Sequence, residues 1–164
     1  MKQPTVGDIH AWLDSIAPFD SAEGFDNVGL LIGDASVPVS KVIFTLDLSE
    51  KTVDEAISWG AELIITHHPI IFSPLPRINY AAPFGRMLIK LTAANISVIA
   101  AHTNWDKAPQ GVGDTLAQLL TLTSVTSLDD FTRLGDLETP MTASAFAVLM
   151  TEKLGFAPRW YRDE

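Results

Sequence analysis

Apolar positions along the chain change period several times, and each change predicts an element. Ile9, Trp12, Leu13 and Ile16 recur at helical spacing, with Pro18 as the stop, and this stripe is read as core packing. Phe25 to Asp34 reads as a turn feeding a short strand bounded by Gly29 and Gly33. Asp26 and Asn27 are candidates to line a pocket, but residues of this kind in a turn are read first as turn residues. Val42-Ile43-Phe44-Thr45-Leu46 predicts a strand, and Ser49 an N-cap. In the helix that follows, Val53, Ala56 and Ile57 face inward and Gly60 is the C-terminal stop. Leu63 to Thr66 is a second strand, too short for a helix and rich in β-branched residues. Pro83 opens a helix whose apolar face is Phe84, Met87, Leu88 and Leu91, and Ile96 to Ala101 is a third strand.

Strand, helix, strand, helix, strand in that order implies parallel strands with right-handed crossovers and helices on the sheet faces. The expected fold is therefore α/β, three layers α/β/α around a mostly parallel or mixed sheet. Beyond it, Pro109, Gly111 and Gly113 make a turn into a helix carrying Leu116, Leu119 and Leu120. Residues 121–140 are polar and irregular, with a short strand expected around Phe131 to Leu134. Phe146, Leu149 and Met150 mark a last helix stopped by Gly155, and Arg159-Trp160-Tyr161 reads as the start of a strand. The 164 residues are expected to form a single α/β domain, with a core over about residues 1–120 and the beginning of a further segment over 121–164.

Parallel strands bring their carboxyl ends to one edge, where open α/β sheets hold ligands. Two of the predicted strands run into titratable side chains at that edge. Leu63 to Thr66 ends in His67-His68-Pro69, and Ile96 to Ala101 ends in His102-Thr103-Asn104-Trp105-Asp106. Pro69 has no N–H for a ladder and pushes His68 toward extended backbone, so the strand stops at the histidines. Neighbouring side chains on an extended chain point to opposite faces, so both imidazoles reach one locus only if the backbone bends or if two ions sit side by side. A lone histidine at a strand end is usually structural, but two clusters at equivalent places point to a metal site. Imidazole plus carboxylate suits zinc, iron or manganese.

Composition narrows the rest. The chain has 47% hydrophobic and 19% charged residues, as a globular protein does. Its formal charge is −9 and it has no basic run, so an electrostatic footprint for nucleic acid is missing. Cysteine is absent, which excludes thiolate ligands and leaves His, Asp and Glu. The N-terminus is not an apolar signal core and no apolar run reaches membrane-spanning length, so a cytoplasmic location away from membranes is expected. Arg77, in the loop with Pro74 and Pro76, reads as a solvated loop cation, and the glycines near Gly29 and Gly33 match neither nucleotide fingerprint.

With these stretches in view, the chain resembles the NIF-three-like family, also labelled GTP cyclohydrolase type 2 homologues. The matching segments are Asp26-Asn27-Val28-Gly29-Leu30-Leu31, Thr45-Leu46-Asp47-Leu48-Ser49, Ile64-Ile65-Thr66-His67-His68-Pro69, and Ala101 to Asp106 with Gly111-Val112. They cover most of residues 1–120 in the family's order. The resemblance implies an α/β protein with a dinuclear metal centre, assembled as a toroidal hexamer and acting on an unidentified small molecule. It assigns His67, His68 and Asp106 as metal ligands and gives His102 a catalytic or substrate-facing place. The family's remaining ligands, a histidine and a glutamate, belong to a C-terminal part that this sequence lacks; no histidine follows His102, and neither Glu152 nor Glu164 stands in the expected motif. A truncated member with weak or mononuclear binding is therefore expected.

Two functional classes follow. In the first, a metal-dependent hydrolase, His102 serves as general acid or base. In the second, the metal only stabilises a fold or an assembly. A metallophosphoesterase fits less well, because Asp47 is followed by Leu48 and Ser49 rather than by the Asp-x-His start of that chemistry.

Overall fold

The computed structural model describes residues 2–159, so the strand expected at Trp160-Tyr161 and the late Glu164 lie outside the described residues. The chain divides into two compact units, residues 1–108 and 109–164, where the sequence suggests one domain with a change of character near residue 120.

The first unit is built on a four-stranded sheet in the order β1-β4-β3-β2, with β1 Gly29–Ile32, β2 Val42–Thr45, β3 Leu63–Thr66 and β4 Ser97–Ala100. The three strands predicted to be parallel are parallel, while β1 runs antiparallel to β4, which makes the sheet mixed. Every residue of β3 and β4 is buried, as expected of central strands covered on both faces. On one face, Ile64 and Val98 pack with Val53 and Ala56 of α2 (Glu50–Trp59) and Leu91 of α3 (Pro83–Ala93). On the other, Leu63, Ile65 and Ile99 pack with Val6 and Leu13 of α1 (Val6–Ile16). The three-layer α/β/α arrangement is thus present within this unit.

Local chemistry explains the boundaries. Ser49 Oγ accepts from the Thr52 N–H at 3.1 Å, and Gly60 ends α2 at φ +70°. Thr5 and Asp8 form a reciprocal capping box at the start of α1. The buried edge of α1 is Val6, Ile9 and Leu13; Trp12 and Ile16 of the predicted stripe stand 55% and 37% exposed, and Ile57 of α2 is likewise exposed. One helix face offers room for only part of a wide apolar stripe, and the rest remains in solvent. Gly85 is required by close approach: a Cβ there would lie 2.0 Å from the Asn79 carbonyl oxygen.

Sequence reasoning missed a short helix, α4 (Thr103–Lys107), directly after β4. It places Asp106 one turn above His102, with the Asp106 N–H donating to the His102 carbonyl at 3.0 Å.

The second unit holds α5 (Val112–Leu119), the antiparallel pair β5 (Leu122–Ser127) and β6 (Arg133–Leu137), and α6 (Ala143–Leu154). The strand expected at Phe131–Leu134 is therefore shifted and paired, and the stretch before it is itself a strand. Asp129 ties the connection by accepting from the N–H groups of Phe131 and Thr132. Gly155 stops α6 at φ +77°. No helix among the described residues is long and apolar enough to cross a membrane.

Candidate metal centre

Strand register puts the candidate residues on one edge. Thr45, Thr66 and Ala100 lie level across β2, β3 and β4, so the residues just beyond them emerge together. The ladder continues briefly: the N–H groups of His67, His68 and Ala101 donate to the carbonyls of Thr45, Leu46 and Thr66 at 3.1, 3.0 and 2.9 Å. The backbone bends at His67 and His68. That bend defeats the alternation of an extended chain and turns both rings to one side, with their centroids 5.0 Å apart.

His102 joins them. Its ring centroid is 5.0 Å from that of His67 and 5.4 Å from that of His68. One nitrogen from each of the three rings lies within 4.8 Å of the others, close enough to hold a metal ion. Asp106 reaches the group through His67, its Oδ1 standing 3.6 Å from His67 Nε2. The structure thus brings together all four residues that the sequence singles out, and makes His102 an equal member of the imidazole cluster.

One nitrogen of each ring, Nδ1, is engaged with a protein acceptor. His67 Nδ1 is 3.1 Å from the Ala101 carbonyl oxygen, His68 Nδ1 is 2.7 Å from Asp47 Oδ1, and His102 Nδ1 is 3.0 Å from Asp26 Oδ1. A carbonyl or an ionised carboxylate only accepts, so Nδ1 donates in each case and the lone pair of a neutral ring rests on Nε2. Metal-ligating imidazoles are held in this way, by an acceptor behind the ring that fixes its tautomer and orientation. At His67 this leaves an Nε2 lone pair facing the Asp106 carboxylate, an arrangement that calls for a cation or a proton between them. The three converging imidazoles are a donor set that could hold a metal ion, with the Asp106 carboxylate beside His67.

Asp26 and Asp47 were missed as partners of the histidines. Asp26 is 76 residues from His102, and its place in a turn gives no sign of the contact. Asp47 has the clearer signal, since it follows β2 as His67-His68 follows β3. The two carboxylates differ in setting: the Asp26 side chain is 0% exposed and that of Asp47 is 68% exposed. Burial, the largest influence on Asp26, pushes its carboxyl up. Hydrogen bonds from the His102 ring, the Thr103 hydroxyl and the N–H groups of Thr103 and Asn27 together outweigh it and hold the group below the usual aspartate range. Arg77 and Ile78 lie exposed in the loop after the histidines, in keeping with a solvated cation.

A mixed α/β sheet with an imidazole cluster at the carboxyl ends of its parallel strands defines the class of protein. The chain belongs to the family described as Duf34/NIF3 (NGG1p interacting factor 3), whose sequence pattern matches residues 4–163. Among similar proteins, a GTP cyclohydrolase 1 type 2 homolog of Clostridium perfringens is 42% identical over 115 residues, covering 70% of this chain and 44% of its own length. A Bacillus cereus protein related to NIF3, of known crystal structure, is 40% identical with TM-score 0.75, covering 79% of this chain and 36% of that one. Reduced HcgD from Methanocaldococcus jannaschii is 27% identical with TM-score 0.80, covering 90% of this chain and 59% of that one. The chain spans less than half the length of the first two relatives.

Proposed function

We propose that the cluster is a divalent-metal centre serving a hydrolytic reaction, with His67, His68 and Asp106 as ligands and His102 as ligand or proton acceptor. The observation that carries this reading is the convergence of three imidazoles whose Nδ1 atoms are all turned away onto protein acceptors. A bound ion would supply a Lewis acid and an acidified water near neutral pH.

The chain's own residues do the rest. The Ala101 carbonyl holds the proton of His67 on Nδ1, and Asp26 does the same for His102. His102, 20% exposed, can exchange a proton through Nε2 with a group placed beside it. Four donors serve one ion well, since a catalytic zinc commonly takes three protein ligands. The second ion of the dinuclear centre implied by the family resemblance requires ligands beyond these four. Relatives named GTP cyclohydrolase 1 type 2 homolog make hydrolytic opening of a cyclic amide or purine-like ring the reaction class to try first. The toroidal hexamer belongs to the same proposal and is checked by light scattering.

The test is metal content by mass spectrometry of purified protein and of His67→Ala and Asp106→Ala, followed by a screen of cyclic amides and nucleotides that includes GTP. Near-stoichiometric metal lost in both variants, with a hydrolytic activity lost alongside it, is the expected outcome. Folded protein that takes up no added zinc, iron or manganese overturns the metal reading. Metal whose removal lowers only thermal stability overturns the hydrolase in favour of the non-enzymatic scaffold.

A further inference from the structure

We infer that Asp26 is the positioning residue that fixes His102, holding its ring in the Nδ1–H tautomer so that an Nε2 lone pair faces the cluster. Asp26 Oδ1 accepts from the Asn27 N–H at 2.8 Å and from His102 Nδ1 at 3.0 Å. Asp26 Oδ2 accepts from the Thr103 N–H at 3.1 Å and from Thr103 Oγ1 at 2.5 Å. Thr103 Oγ1 itself accepts from the Glu23 N–H at 2.9 Å, which commits its own hydrogen to Asp26.

Four donors on one carboxylate use the lone-pair positions of both oxygens. Two of the donors are backbone N–H groups that cannot reverse, and the third is a hydroxyl oriented by Glu23. A carboxylate so surrounded stays ionised and stays in place, and toward His102 it acts only as an acceptor. Nδ1 must therefore carry the proton.

His68 has no equivalent constraint. Its partner Asp47 is 68% exposed and the ring itself 46% exposed, so water competes at both ends of that bond. His67 is fixed by a main-chain carbonyl. Asp26 thus does with a side chain at His102 what the backbone does at His67, and the cluster has two fixed rings and one adaptable one. The tautomer assignment stands on geometry alone; its consequence for metal affinity rests on the proposed metal centre.

The test uses nitrogen-15 NMR of the imidazoles in the full metal-free chain, at a pH above their titration, beside zinc competition with a chelator. In the wild type, His67 and His102 are both expected as Nδ1–H. In Asp26→Ala the acceptor is gone, and His102 is expected to move to the Nε2–H form or a mixture while His67 keeps its signal. Asp26→Asn preserves size but offers one oxygen to four donors, so it shifts His102 in the same direction. Thr103→Ser keeps the hydroxyl and leaves both rings unchanged. Zinc affinity falls about 10–100-fold in the two Asp26 variants.

A wild-type His102 protonated on Nε2, or a His102 that stays Nδ1–H in both Asp26 variants, overturns the inference. So does a joint shift of His67 and His102, which would mean general loosening of the site. If the tautomers behave as expected but zinc binds neither wild type nor variants, the inference holds and the metal reading fails.

Discussion

The two units of the chain make sheets in opposite ways. In the first, β3 and β4 are buried at every position and a hydrophobic cluster lies on each face. In the second, β5 and β6 form a two-stranded sheet whose residues are half-buried or exposed throughout. Val125, Leu128, Phe131 and Leu134 are 40–64% exposed, and among the described residues Ala117 is the one buried hydrophobic residue of this unit. A two-stranded sheet is marginal by itself, because pairing alone does not offset the entropy of ordering the chain. The first unit therefore supplies a stiff edge on which side chains can be placed to within a hydrogen bond. The second is held more by polar contacts, such as the ion pair of Arg133 with Asp114 and the Asp129 turn.

The sharpest way to break this comparison is to shorten one leucine in each unit, buried in the first and exposed in the second. Leu91→Ala, at a site with 0% exposure, should cost about 2–5 kcal/mol, whereas Leu134→Ala, at 55% exposure, should stay within about 0.5 kcal/mol. Denaturant melts of the two variants check this, and equal losses would refute the contrast.

Metal removal comes next. On the metal reading, a chelator should lower the midpoint of the first unit and leave hydrogen exchange in β5 and β6 unchanged. The loss is about 2.7 kcal/mol if free metal had been one hundred times its dissociation constant. Protection lost equally in both units would show that the ion is not confined to the edge of the first.

Acid should act on the second unit by a different route. Hydrogen bonding to Arg133 is the main cause of the lowered Asp114 pKa, and backbone N–H groups of Phe131 and Thr132 lower that of Asp129. Folded values below the unfolded ones mean that this stabilisation is complete above the ordinary aspartate pKa of 3.8 and is lost as pH falls through the lowered values. Protection of the β5 and β6 amides should therefore fall below pH 3.8, and the first unit, where Asp26 is likewise held below the usual range, loses stability in acid as well. A small effect is expected for Asp47→Ala, whose exposed pair with His68 is worth about 0–1 kcal/mol of stability, read as a barely moved thermal midpoint.

How much of this was legible follows the same division. β3 and β4 are continuous apolar runs, and the cap at Ser49 and stop at Gly60 are local chemistry, so the sequence predicts them well. β5 is written in Leu122, Thr123, Ser124, Val125, Thr126 and Ser127, with too little apolar alternation to announce a strand, and its pairing shifts register between Thr123 and Thr126. Helix α4 is five residues without a periodic stripe or a side-chain cap. At the site, the histidines and Asp106 could be named because they lie at or just beyond the ends of readable strands. Asp26 could not, because its role is created by a fold that closes 76 residues of chain.

Trp105 has a consequence of its own. It lies inside α4, between His102 and Asp106, and its half-buried indole packs against the cluster containing Leu63, Ile65 and Ile99. Trp12 and Trp59 are 55% and 49% exposed and carry no site residue beside them. The molecule thus has a built-in optical gauge: the part of the emission that Trp105→Phe removes should follow what happens at the imidazoles, while Trp12, Trp59 and Trp160 supply the remainder.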